Sequence, residues 1–172
     1  GITVQGLTVG KGNGAVANNT AVGYLVLSNT SGGANSGFGY GALLANTSGA
    51  HNTAIGQESL RFNTTASGST AVGYQAGYSL TGASNTIYGY QAGYSITGNG
   101  NVCLGYATGA TGTSLTSGSN NTYVGNQVSA SAGSVQFEIV LCASGSGVTG
   151  KGGSTGFISP NGGGVYQGNN SS

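Results

Sequence analysis

Few side chains in this sequence can do chemistry. The carboxylates are Glu58 and Glu138, with no Asp; His51 is the single histidine; Cys103 and Cys142 are the thiols; Lys11, Arg61 and Lys151 are the fixed cations. Hydrolysis of a glycosidic bond needs two carboxyl groups within roughly 5–10 Å of each other. Glu58 and Glu138 lie eighty residues apart in the chain, which leaves contact open but builds no repeating carboxylate column. Glycine-rich solenoids that bind calcium place an acidic residue in every turn, and none does so here. A Cys–His nucleophile would have to join His51 to Cys103 or Cys142, yet His51 falls between repeats, where a solvated side chain is expected. Transition metals need several good ligands close together. The sequence therefore points to no catalysis, no cofactor and no metal.

Two further patterns imitate chemistry. Gly145-Ser-Gly147-Val-Thr-Gly150-Lys151-Gly152 follows a predicted strand and is one residue from a phosphate-binding loop; it also matches the spacing of a dinucleotide fingerprint. The position that should carry a magnesium-binding hydroxyl is Gly152, and Gly153-Ser-Thr-Gly156 is a poor start for the helix that binds phosphate. Chance matches are expected in a chain with 37 glycines. The tyrosines are the more interesting pattern. Tyr24, Tyr40, Tyr74, Tyr90 and Tyr106 each follow a glycine at regular spacing, and Tyr78 and Tyr94 lie further on at equal phase. Such residues would stack into ladders, either packing turns or subunits together or offering an aromatic platform to sugar rings.

The elements that position those tyrosines are repeats. Residues 69–84 and 85–100 match at ten of sixteen positions, sharing Gly-Tyr-Gln-Ala-Gly-Tyr-Ser at 73–79 and 89–95. The head of the unit is a polar residue, usually Asn, then small and apolar residues, a Gly and often a Tyr. Its anchor glycines are Gly23, Gly39, Gly56, Gly73, Gly89, Gly105 and Gly125, at spacings of 16, 17, 17, 16, 16 and 20 residues. Tails such as Asn46-Thr-Ser-Gly49 supply turns, because Gly and Asn tolerate positive φ. A unit of this period is a solenoid turn. The expectation is a parallel β-solenoid or β-roll with two strands of about four residues per turn. The first strand centres on the apolar residue before the anchor, and turns stack at about 4.7 Å with apolar columns inside.

Composition agrees. No glycine-free stretch exceeds eleven residues, so any long helix would carry internal glycines costing about 1 kcal/mol each. Disorder fits poorly with a net charge of +1 and Val, Ile, Leu and Tyr recurring at fixed phase. Three cations make no patch for nucleic acid, and no apolar run approaches the roughly 20 residues that span a bilayer. Two cysteines make no disulfide framework, and buried free thiols are expected. Residues 1–17 read as short strands leading in, 18–133 as the array, and 134–172 as a C-terminal β segment and tail. In that segment Val135, Phe137, Ile139 and Leu141 alternate with Gln136, Glu138, Val140 and Cys142 as a conventional strand. The start at Gly1, without Met, points to a fragment or a processed product. Each repeat offers about three large apolar groups, a thin core for one chain. Parallel association is therefore expected, with three chains preferred.

The repeats Asn-Thr-Ala-Val-Gly-Tyr (19–24) and Gly-Tyr-Gln-Ala-Gly (73–77, 89–93) resemble the shaft or adhesin region of bacteriophage tail fibres of the cyanophage type. Gly6-Leu-Thr-Val-Gly10-Lys-Gly12 resembles the lead-in to such arrays. Glu138-Ile-Val-Leu, Thr149-Gly-Lys-Gly-Gly-Ser-Thr155-Gly-Phe-Ile158 and Gly164-Val-Tyr-Gln-Gly168 resemble the stretch before an endosialidase-type intramolecular chaperone. The resemblance implies an elongated homotrimeric fibre in the virion, joined to other tail proteins upstream, trimerised by a chaperone that cuts itself off. It also implies presentation of a surface to a host glycan or protein. More distantly the repeats are similar to the heads of trimeric autotransporter adhesins, though with a different repeat length. The alternative implied is a bacterial cell-surface adhesin or extracellular filament. Ice binding by threonine columns is a third class, with one head Thr per turn.

Overall fold

In the computed structural model, one short strand recurs in every turn of a β-solenoid. The structure describes residues 2–4, 7–12, 16–110, 114–142, 149–154 and 156–159. Strands β1 (Ile2–Val4) and β2 (Leu7–Gly10) form an antiparallel hairpin, and β2 runs antiparallel to β3 (Thr20–Gly23). From β3 onward all pairing is parallel and sequential. The strands are β4 (Ser36–Phe38), β5 (Thr53–Ile55), β6 (Thr70–Val72), β7 (Thr86–Tyr88), β8 (Val102–Leu104), β9 (Thr122–Val124), β10 (Ile139–Cys142) and β11 (Gly156–Ser159). No helix occurs among the described residues.

Among the described residues the expected second strand is absent, with only an isolated parallel bridge between Ser129 and Thr149, and the reason is local. Two positions beyond each anchor stand Leu25, Gly41, Glu58, Gln75, Gln91, Ala107 and Gln127, all with φ between 48° and 64°. Four beyond stand Leu27, Leu43, Leu60, Gly77, Gly93 and Gly109, again left-handed. Two left-handed residues so close together curl the chain out of the extended region. The curled side is still sealed to its neighbours: Glu58 N–H donates to Tyr40 O (2.8 Å), Leu60 N–H to Ala76 O (3.0 Å) and Phe62 N–H to Tyr78 O (2.9 Å). A leucine in this conformation costs about 1–2 kcal/mol. Leu27, Leu43 and Leu60 are fully buried, and burial of each returns about 1.5–3 kcal/mol.

Those leucines determine what fits beneath the strands. Where the curled position is Leu, the position three residues later is polar: Thr30, Asn46 and Asn63. Where it is Gly77 or Gly93, that later position is Leu80 or Ile96. A Cβ on Gly77 would meet Leu60 Cδ2 at 2.9 Å, and one on Gly93 would meet Ile96 Cδ1 at 2.9 Å. In these five turns one large side chain therefore enters the interior from the curled side, from one place or the other, as close packing requires.

This overturns the expected facing of the strands. The residue before each anchor points out of the solenoid and the one before that, smaller in every turn but that of Tyr123, points in. The inner column is Ala21, Gly37, Ala54, Ala71, Ile87, Cys103, Tyr123 and Val140, all buried. The outer column, in register, is Val22, Phe38, Ile55, Val72, Tyr88, Leu104, Val124 and Leu141. Ile55 is 42% exposed and Tyr88 61%. With a leucine already reaching across from the curled side, only a small residue fits under most strands.

The head residues are buried as a hydrogen-bonded ladder. Asn35 N–H donates to Asn19 Oδ1 (2.8 Å), Asn52 N–H to Asn35 Oδ1 (2.9 Å) and Ser69 N–H to Asn52 Oδ1 (2.9 Å). Asn101 N–H donates to Asn85 Oδ1 (2.8 Å) and Asn121 N–H to Asn101 Oδ1 (3.0 Å). The carboxamide nitrogens donate to turn carbonyls, as Asn52 Nδ2 does to Ala66 O at 2.8 Å. The ladder continues past residue 133. Glu138 N–H donates to Asn121 Oδ1 at 2.8 Å, so Glu138 is a head residue and Cys142, seventeen after Gly125, stands at an anchor position. Residues 134–142 thus belong to a further turn rather than to a strand of a new kind, and 143–144 lie outside the described residues. Phe137 is left-handed (φ 56°), the strand begins at Ile139, and Val140 and Cys142 face inward while Phe137 and Ile139 are exposed.

Candidate functional site

The groups that could do chemistry are kept apart by the solenoid. Glu58 sits on the curled side of the third turn and Glu138 in the head column five turns later, roughly 24 Å along the axis at the usual strand spacing. That is well beyond the reach of a hydrolytic pair. Glu58 is paired with Arg61 and accepts from Gln75 Nε2 at 2.7 Å. His51 is exposed, left-handed and in the turn before a head. Cys103 lies in the inner column and Cys142 in the anchor column, both buried. Burial pushes the Cys103 thiol up to about 12, away from nucleophilic character.

Glu138 is fully buried and accepts from the Tyr123 hydroxyl (2.8 Å) and Ser131 N–H (3.1 Å) at Oε2 and from Gly152 N–H (2.7 Å) at Oε1, with the Ser131 side chain bonded to it as well. Burial alone would raise its pKa. The bonds from Gly152, Tyr123 and Ser131 prevail and hold it below the usual carboxylate range. Burial and the bond to Glu138 push the Tyr123 phenol far up. This cluster also accounts for part of the loop-like motif at 145–152. Gly150 packs against the carboxylate, leaving no room for a Cβ, and the Gly152 amide serves a protein carboxylate. Residues 145–148 lie outside the described residues.

The anchor glycines line up as one column of close backbone approaches. Gly73 and Gly89 both have φ 134°, and a Cβ on either would strike the carbonyl of the next anchor, Gly89 O or Gly105 O. Gly39, with φ 123°, would put a Cβ 2.7 Å from Gly56 O.

The tyrosines do form ladders. Tyr24 and Tyr40 stack at 5.9 Å, Tyr74 and Tyr90 at 5.0 Å, and Tyr90 and Tyr106 at 5.3 Å. Gln57 interrupts the series between Tyr40 and Tyr74. A second ladder, Phe62, Tyr78 and Tyr94, joins edge-on at 5.0 Å and then stacked at 4.8 Å. Burial, followed by the nearness of Tyr78 and Glu58, raises the Tyr94 phenol. Between the two ladders runs a polar one: Gln91 Nε2 donates to Gln75 Oε1 at 2.8 Å, and Gln75 Nε2 to Glu58. Rings stacked on one another cover each other's faces and present their edges outward. A sugar can therefore stack only where a ladder stops. The columns also end at one place, where Ala107 and Ala110 follow Gln91 and Tyr94. Among the described residues, Gln91, Tyr94, Ala107 and Ala110 line a depression of about 220 Å³.

Sequence reasoning missed the outer column, because valine and isoleucine read as core, and Glu138, because Glu and Cys replace Asn and Gly. The seventeen-residue offsets from Asn121 and Gly125 were the signal for the latter. Compared with protein-family models, curated proteins and solved structures, the chain finds no match.

Proposed function

We propose that this chain is a non-catalytic fibre segment, a parallel homotrimer of the viral tail-fibre kind that spaces or presents a host-binding surface outside the cell. The supporting observation is the outer apolar column, from Val22 to Leu141, along one side of a rod that carries only five charged side chains in its sequence. Half-exposed members such as Phe38 and Ile55 would each gain on the order of 1 kcal/mol if covered. Association costs about 4–15 kcal/mol. No single residue offsets that cost; eight in register, at about 8 kcal/mol together, fall within its range when chains pack side by side. The neighbouring column, Thr20, Ser36, Thr53, Thr70, Thr86 and Thr122, is interrupted at Val102 and flanked by the protruding Phe38 and Tyr88. That arrangement suits an interface better than a flat hydroxyl lattice for ice.

A bacterial surface adhesin or filament rests on the same geometry, and expression of the full-length reading frame separates the two. A trimer that releases a C-terminal fragment by self-cleavage supports the tail fibre. A trimer with no such release supports the surface filament, and a monomer rejects both.

A further inference from the structure

We propose that the break at Gln57 in the first tyrosine ladder is a binding slot for one neutral pyranose ring with all its substituents equatorial. The proposal rests on the reading of the chain as a host-binding surface and gives that surface a place. Glu58 N–H donates to Tyr40 O (2.8 Å) and Gln75 N–H to Gln57 O (2.9 Å), which puts Tyr40, Gln57 and Tyr74 in consecutive turns of one column. Tyr24 covers one face of Tyr40, and Tyr90 covers one face of Tyr74. The two remaining faces look at each other across the Gln57 turn, two strand spacings or roughly 10 Å apart. Gln57 is exposed and its side chain makes no hydrogen bond among the described residues, whereas Gln75 and Gln91 are tied into their own column. An exposed, untethered side chain changes rotamer within nanoseconds, so Gln57 yields the space without disturbing the fold.

The spacing selects the ligand. Carbon atoms pack best at about 3.5–4.0 Å, so a flat ring between the two phenols needs only about 7–8 Å and leaves slack. A puckered, saturated ring with C–H bonds on both faces is thicker and fills the gap. Both of its faces must then be apolar. A β-glucopyranoside meets this condition, since only axial C–H bonds face the phenols. The axial hydroxyl of a galactopyranoside would instead press on one ring without a partner. Hydroxyls at the sugar's rim find the Gln57 amide, a donor and an acceptor in one group. The Glu58–Arg61 pair stands beside it, packed against Gly41, the residue after Tyr40. A Cβ on Gly41 would meet Arg61 Nη1 at 3.7 Å and Glu58 Cγ at 3.9 Å. Two of the five charged side chains in the sequence thus fall in the turn where the ladder is broken. A ladder serving stability alone has no need of that break, since tyrosine stands at this position in the two turns before and the three after.

The test is saturation-transfer NMR on the intact protein with methyl β-glucoside and methyl β-galactoside as separate probes, and phenol as a flat-ring control. Tyr74→Ala removes one wall of the slot. Gln57→Tyr completes the ladder and fills the slot, and it keeps the test open should Tyr74→Ala not fold. The glucoside should bind the native chain, with the galactoside about tenfold weaker. Tyr74→Ala should weaken the glucoside about tenfold. Gln57→Tyr should abolish binding while its melting temperature holds or rises, because five tyrosines already stack in that column. No glucoside binding, equal binding of the two sugars, phenol binding as tightly as the glucoside, or glucoside binding that survives Gln57→Tyr would each overturn the proposal. Sedimentation of the same samples keeps this result separate from the fibre reading: a trimer that binds no sugar rejects the slot only.

Discussion

At the scale of single residues, the positions that matter most hold conformations or charges that other residues cannot. Gly89 combines φ 134° with the approach of the Gly105 carbonyl. Gly89→Val should lose at least about 1–3 kcal/mol, read by chemical denaturation; an unchanged midpoint would remove the anchor from this account. Glu138 makes a second prediction. Its pKa is depressed in the folded chain, so its contribution is fully present above the unfolded carboxylate value near 4.3. It is lost as pH falls below that value through the folded pKa. Melting temperature should therefore hold from neutral pH to about 4.5 and then fall. In Glu138→Gln the protein should melt lower at neutral pH, because an amide N–H would face the Ser131 N–H and the Tyr123 hydroxyl. The acid-dependent fall should also be largely gone, since Glu58 is the only other side-chain carboxylate. An undiminished fall in the variant would assign the acid dependence elsewhere.

At the scale of the turn, the stabilising element is the buried polar ladder as much as the apolar interior. Asn52 accepts from Ser69 N–H and donates to Ala66 O, both buried. Asn52→Ala strands the Ser69 N–H, at about 1–3 kcal/mol, and leaves Ala66 O with Asn63 Nδ2 as its remaining donor. It should therefore cost more than Ala54→Gly beside it, which removes one methyl; equal losses in denaturant midpoint would contradict the ladder's role. The turn was also where the sequence was most and least legible. The period, the anchors and the tyrosine ladders followed from spacing, because each turn must place the same backbone conformation at the same point. The facing of the strands did not. In a solenoid with one strand per turn, Leu27, Leu43 or Leu60 fills the middle from the curled side, so Ala21, Ala54 and Ala71 are the core and Val22, Ile55 and Val72 the surface. Ordinary hydrophobic patterning assigns these the other way round. Nor could spacing reveal that Leu25 and Leu60 accept left-handed backbone (φ 59° and 48°), which removed the second strand. The depression beside Tyr94 was hidden for a different reason: its described lining includes Ala107 and Ala110, where the pattern would have placed larger residues.

At the scale of the whole molecule, the outer column links the repeat to its use. Ile55→Glu places a charge at a position that is 42% exposed in a lone chain. If the column is solvent-facing, the substitution should change stability by less than about 0.5 kcal/mol. If the column is the subunit interface, three buried and unpaired carboxylates should drive the assembly apart at neutral pH, while circular dichroism of the dissociated chain stays that of a β protein. The fold draws on no bound ion in this account, so EDTA should leave the melting temperature within a few degrees. The most direct measurement is sedimentation equilibrium of the native chain at micromolar concentration. The account predicts a mass three times the 16.5 kDa of one chain, falling to a single chain in Ile55→Glu. A folded, stable native monomer would contradict it.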